Sequence, residues 1–123
     1  MRWWHARGER AELATFVDGV VKTIVPTLPR QVDAETTLIA ISGTATELTY
    51  IFLVGDTIAI KGRDHWNEVM LIGLRQHCQG EFFRLLRKGL QATWRFLDRS
   101  GRTVGSISVV QADCALLPEK DSS

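Results

Sequence analysis

Residues 87–114 read RKGLQATWRFLDRSGRTVGSISVVQADC: a helix stop, a strand, a four-residue turn and a second strand that leads to a cysteine. Gly89 stands where a glycine ends a helix in the left-handed region. Leu90, Ala92, Trp94 and Phe96 alternate with Gln91, Thr93 and Arg95, the period of a half-buried strand. Asp98 at the first position and Gly101 at the fourth suit a type I turn. In the return strand Val104 has one parity and Ile107 and Val109 the other. Gly105, lying between them, predicts a β-bulge.

The same order occurs once before. Leu13, Phe16, Val17, Val20, Val21 and Ile24 fall on one stripe and predict a helix over residues 9–25, which Pro26 ends. Residues 1–8 read as a terminal segment, with Trp3 and Trp4 as a candidate interface: they fold back onto the core or pack in a dimer. Pro29 keeps the following stretch extended. Residues 36–43 and 47–54 are rich in Thr, Ile, Val, Tyr and Phe and predict a hairpin. Leu48, Tyr50, Phe52 and Val54 share one face of its second strand. Thr49, Ile51 and Leu53 share the other, so that strand is central or covered on both sides. Residues 57–60 extend it or add a short strand. Asp64 is the expected N-cap of a second helix, whose stripe is Trp66, Val69, Met70, Leu74 and Cys78. A break near Gly80 and a short helix over residues 81–88 follow. The chain thus reads as two αββ units. The expected fold is α+β: one antiparallel sheet of four to five strands with the helices on one face. A single domain spans residues 1–123, with its core at about 9–114 and a peripheral tail at 115–123.

Composition removes several classes of function. With 123 residues and 45% hydrophobic content, the chain can bury a core without metals or a disulfide framework. A formal net charge of +1, from 15 basic and 14 acidic residues, gives nucleic acid little to bind. The densest basic cluster, Arg84, Arg87 and Lys88, complements a helix C-terminus. No apolar run approaches the roughly 18 residues of a transmembrane helix. MRWWHARGER has no apolar core and no cleavage site of a secretory signal. With Met1 as the natural start the chain is expected in the cytoplasm; without it, a periplasmic or envelope-associated setting follows. Cys78 and Cys114 either pair in an oxidising compartment or remain two buried thiols.

The chain also resembles a group of small bacterial proteins of unknown function, mostly exported. Their LP-x-x-VD-x-x-T-x-L segment is matched by Leu28, Pro29, Val32, Asp33, Thr36 or Thr37, and Leu38. Tyr50, Cys78, Gly89, Trp94, Phe96, Asp98, Gly101, Asp113 and Cys114 match the rest of the pattern: a cysteine-bearing helix, a glycine-led aromatic strand, a D-x-x-G turn and a final D-C. The resemblance spans roughly residues 25–114 and departs at the N-terminus, where the export signal is missing. It implies an α+β domain, a possible Cys78–Cys114 bridge and no known activity.

Candidate chemistry is sparse. His77 and Cys78 are adjacent, but neighbours on a helix point about a hundred degrees apart and do not form a nucleophile–base pair. His5, His65, His77 and Cys78 fit no metal-ligand spacing, so no metal and no cofactor are expected. Asp33, Glu35, Asp98 and Asp113 sit at expected turns, where a carboxylate bonds its own backbone. No phosphate-cradling or nucleophile-elbow motif is present. The leading expectation is a bacterial accessory or protein-interaction module without catalysis, contacting a protein partner or itself, most simply as a dimer. The alternative is a small apolar-ligand binder with a cavity between sheet and helices lined by Tyr50, Phe52, Trp66, Met70, Trp94 and Phe96. An enzyme using Cys78 or His77 is the third reading.

Overall fold

The computed structural model describes residues 2–117, with side chains from Ala11 onward except that of Arg63. Helix α1 (Arg2–Ile24) opens the chain and strand β1 (Arg30–Asp33) follows a 3-10 turn at Val25–Thr27. Strands β2 (Thr36–Gly43) and β3 (Glu47–Val54) form the first long hairpin. Helices α2 (Asp56–Ala59), α3 (Arg63–His77) and α4 (Gly80–Arg87) lead to strands β4 (Gln91–Leu97) and β5 (Thr103–Val109). A 3-10 segment at Gln111–Leu116 closes the described chain.

The α+β class and the two long hairpins are as the sequence predicts; several details differ. Helix α1 begins at Arg2 rather than near residue 9. Ala6 and Arg7, with Glu9 and Arg10 just beyond, are good helix formers and let the helix run through Gly8. The side chains of Trp3, Trp4 and His5 lie outside those described. A fifth strand, β1, pairs with β2 along the previously extended stretch. Residues 57–60 are not a strand: residues 56–59 form one helical turn, because Gly55 O accepts from Ile58 N and Ala59 N. The N-cap of α3 is Gly62, not Asp64; its carbonyl already accepts from His65 N and Trp66 N, so Asp64 falls in the first turn.

The sheet order is β1-β2-β3-β4-β5. It is mixed rather than wholly antiparallel, since β3 and β4 run parallel while every other pair is antiparallel. The cause is the long crossover: the helices between β3 and β4 return the chain to the end where β3 began. Register across this seam sets Leu48, Tyr50 and Phe52 beside Ala92, Trp94 and Phe96. The rings stack in pairs, Tyr50 on Trp94 with centroids 6.0 Å apart and Phe52 on Phe96 at 5.1 Å.

The helices lie on this aromatic face. Val17 of α1 packs so tightly on Gly43 that a Cβ there would overlap it. On α3, Gly73 rests on the Trp94 ring, 3.6 Å from where its Cβ would be. Leu13, Val17, Leu48, Leu74, Leu85, Leu86, Leu90 and Val109 fill the core. Helix α4 ends in a Schellman turn at Gly89 (φ 109°), with Leu90 N bonded to Leu85 O and Gly89 N to Leu86 O. Cys78 closes α3 and bonds Cys114 of the final 3-10 segment, Cα–Cα 5.7 Å.

Candidate functional site

On the helix side, one stretch of the sheet is only partly covered, with Phe52 and Trp94 half-buried. A groove of about 330 Å³ runs there, floored by Phe52, Val54, Trp94, Phe96 and Ile107. Helix α3 makes one wall with His65, Trp66, Val69, Ile72, Gly73 and Gln76. Val32 and Asp33 of β1, with Thr36, form the opposite lip, and Ile58 of α2 joins the lining. Two large apolar side chains stand out of it: Val32 is 56% exposed and Ile72 is 52% exposed. Both could be shielded from water by an occupant.

Local sequence explains how the groove is held. Trp66 lies over Gly105, where a Cβ would come within 2.8 Å of the indole. Its Nε1 donates to Lys61 O at 3.2 Å, and its ring meets Phe96 with centroids 4.9 Å apart. The bulge predicted at Gly105 falls one residue earlier: Phe96 pairs with Gly105 and Leu97 with Thr103, which leaves Val104 unpaired. On the opposite lip, Asp33 Oδ1 accepts from Glu35 N at 2.9 Å and shapes the β1–β2 turn. Glu35 in turn accepts the Thr57 hydroxyl and bonds Gly55 N through its carbonyl, which fastens this turn to the start of α2.

Of the six residues the sequence nominated for a cavity, Phe52, Trp66, Trp94 and Phe96 line the groove. Tyr50 and Met70 do not: Tyr50 continues the aromatic floor beyond Trp94, and Met70 packs against the core. Burial raises the Tyr50 hydroxyl above its ordinary range. Sequence reasoning missed Val32 and Ile72. Val32 sits on a strand with no apolar alternation to mark it, whereas Ile72 follows Val69 at helical spacing and was visible in principle.

The reactive candidates come apart. His77 Nδ1 is 2.8 Å from Gly73 O, and its ring stands edge-on between Phe82 and Trp94, with centroids 4.1 and 4.8 Å away. Burial holds its pKa below the ordinary imidazole range, against the pull of the Gly73 carbonyl. Cys78 is bonded to Cys114 and has no thiol to offer. Among the described residues no three His, Cys, Asp or Glu side chains gather as for a metal. His65 is half-buried rather than at the open surface, edge-on to Trp66 at 4.8 Å. Asp98 accepts from Ser100 N, Ser100 Oγ and Arg102 N, and Asp113 from Val110 N. The turn-forming reading of these carboxylates describes their contacts. Arg84 and Lys88 grip Glu12 of α1 at 2.6 and 2.5 Å, and Arg87 lies over Phe83.

No described protein family matches the sequence, nor does any curated protein. Solved structures do share the fold. A candidate secreted protein of Pseudomonas aeruginosa superposes with a TM-score of 0.74 at 18% identity, over 86% of this chain and 96% of that one. The pilotin EpsS of the Vibrio vulnificus type 2 secretion system gives 0.68 at 16% identity, over 87% and 96%. The type II secretion system pilotin AspS of Vibrio cholerae gives 0.67 at 9% identity, over 88% and 97%. At these identities the likeness is one of fold.

Proposed function

We propose that this chain is a pilotin-like accessory protein of the bacterial envelope, which holds an amphipathic helix of a secretion-system subunit in the groove beside α3. The observation that carries this reading is an apolar groove floored by half-buried Phe52 and Trp94, with exposed Val32 and Ile72 at its edges. A helix laid in an apolar groove is anchored by side chains spaced three and four residues apart. Aromatic floors of this kind supply most of the energy at such interfaces. The shared fold with two pilotins supports the choice of partner class. The bond between Cys78 and Cys114 favours an oxidising compartment and so the envelope over the cytoplasm. Neither observation favours the dimer expected from the sequence.

The volume of the groove also suits a small apolar ligand, which keeps that second reading in view. Its exposed lips favour a long occupant over an enclosed one. The test is calorimetric titration of the purified protein with terminal segments of secretion-system subunits from the same organism. One segment binds, Ile72→Asp weakens it at least tenfold, and Ile60→Asp leaves it unchanged, since Ile60 is 85% exposed and lies outside the groove. Binding that ignores Ile72→Asp sinks the assignment of the site. Alkylation of thiols in intact cells tests the compartment: protected cysteines are expected, and free ones count against the envelope.

A further inference from the structure

The groove is selective in charge as well as in shape. Among the described side chains, no lysine or arginine lines the groove. Its polar lining consists of the Asp33 carboxylate, the His65 imidazole, the Gln76 amide and the Thr36 hydroxyl. Asp33 is the one carboxylate among them. The backbone bond from Glu35 N to Oδ1 orients it, while Oδ2 makes no hydrogen bond or ion pair among the described residues. The end of the groove at β1 therefore presents a carboxylate with no lysine or arginine beside it among the described lining residues. A fatty acid or phospholipid would bring an anionic head to a site that cannot neutralise it. An apolar segment with a cation at that end would be complemented.

We propose that the groove selects, among apolar helices, those that carry a lysine or arginine at the end meeting Asp33. This rests on the reading of the groove as a helix-docking site and names the partner's charge. An exposed carboxylate–ammonium contact contributes modestly, and a like-charge contact opposes binding by a similar amount. Together they amount to a preference of about tenfold, which salt screens.

The experiment uses two synthetic 16-residue Leu/Ala helices, alike except for Lys or Glu at both ends, with sodium oleate as a third probe. Binding to the full chain is measured by calorimetry at low and high salt. The Lys peptide is expected to bind about tenfold more tightly than the Glu peptide at low salt, with the ratio shrinking as salt rises. Asp33→Asn keeps the acceptor for Glu35 N and hence the turn, and it should bring the ratio close to one. If both peptides bind equally to the wild-type chain and Ile72→Asp weakens both, the charge preference falls while the docking site stands. If neither peptide binds, or oleate alone does, the docking reading falls and the preference with it.

Discussion

Trp66 reaches its place because residue 105 is a glycine. A side chain there would enter the indole ring, so Gly105→Ala forces either the strand or the tryptophan to move. Overpacking of this kind costs about 1–3 kcal/mol. A lowered urea midpoint for Gly105→Ala is the expected outcome, and an unchanged midpoint would mean that Trp66 relocates freely. The sequence marked Gly105 through the parity change beside it. What it could not show was which distant ring comes down on the glycine, since nothing local links residues 66 and 105. His77 makes a second prediction at this scale. Its folded pKa lies below that of the unfolded chain, so unfolding takes up a proton. Its contribution to stability is complete above the unfolded value of roughly 6.5 and is lost as pH falls through the folded one. Denaturation midpoints between pH 7.5 and 5 should decline, and His77→Phe should flatten the part of the decline that this group causes. A slope identical in the two proteins would assign it elsewhere.

At the level of elements, legibility followed how local each determinant was. Strands β2 and β3 match the expected bounds because alternation and turn residues specify them from within. Residues 57–60 read as strand because Thr and Ile favour it, yet Glu35, 22 positions away, accepts the Thr57 hydroxyl and helps hold a helical turn. Strand β1 escaped notice because all four of its residues are exposed. The end of α3 is tied to the final 3-10 segment by Cys78 and Cys114, 36 positions apart. Closing a loop of that length restricts the unfolded chain by about 3–4 kcal/mol in the chain-entropy model. The double variant Cys78→Ser, Cys114→Ser should lose stability of that order in chemical denaturation, with the wild type under reductant behaving alike. A loss near zero would mean that packing alone positions the segment.

For the whole molecule, the order of the five strands was the least visible property. Two αββ units were evident, but which strand of one meets which strand of the other depends on the crossover. The result places β3 at the centre with β4 beside it, the two strands that carry the aromatic floor, and β1 at an edge. Amides of β3 and β4 should therefore exchange with deuterium most slowly, close to the global unfolding limit, and those of β1 early. Comparable protection of β1 in the free protein would contradict its status as a short edge strand. The candidate groove spans the same seam, drawing on residues from both units. Of its lining, only Phe52, Trp66, Trp94 and Phe96 are legible in the sequence, as aromatics that a small core would otherwise bury.

The position of the disulfide has a consequence for biogenesis. Both sulfurs belong to the second αββ unit, and a fragment beginning after Val54 contains the whole covalent loop. The covalent loop itself includes no residue of α1, β1, β2 or β3, and it closes only once Cys114 has been made. The C-terminal unit carries its own clasp, while the N-terminal unit meets it through the parallel seam, the ion pairs of Glu12 with Arg84 and Lys88, and the contact of Phe16 with Phe82.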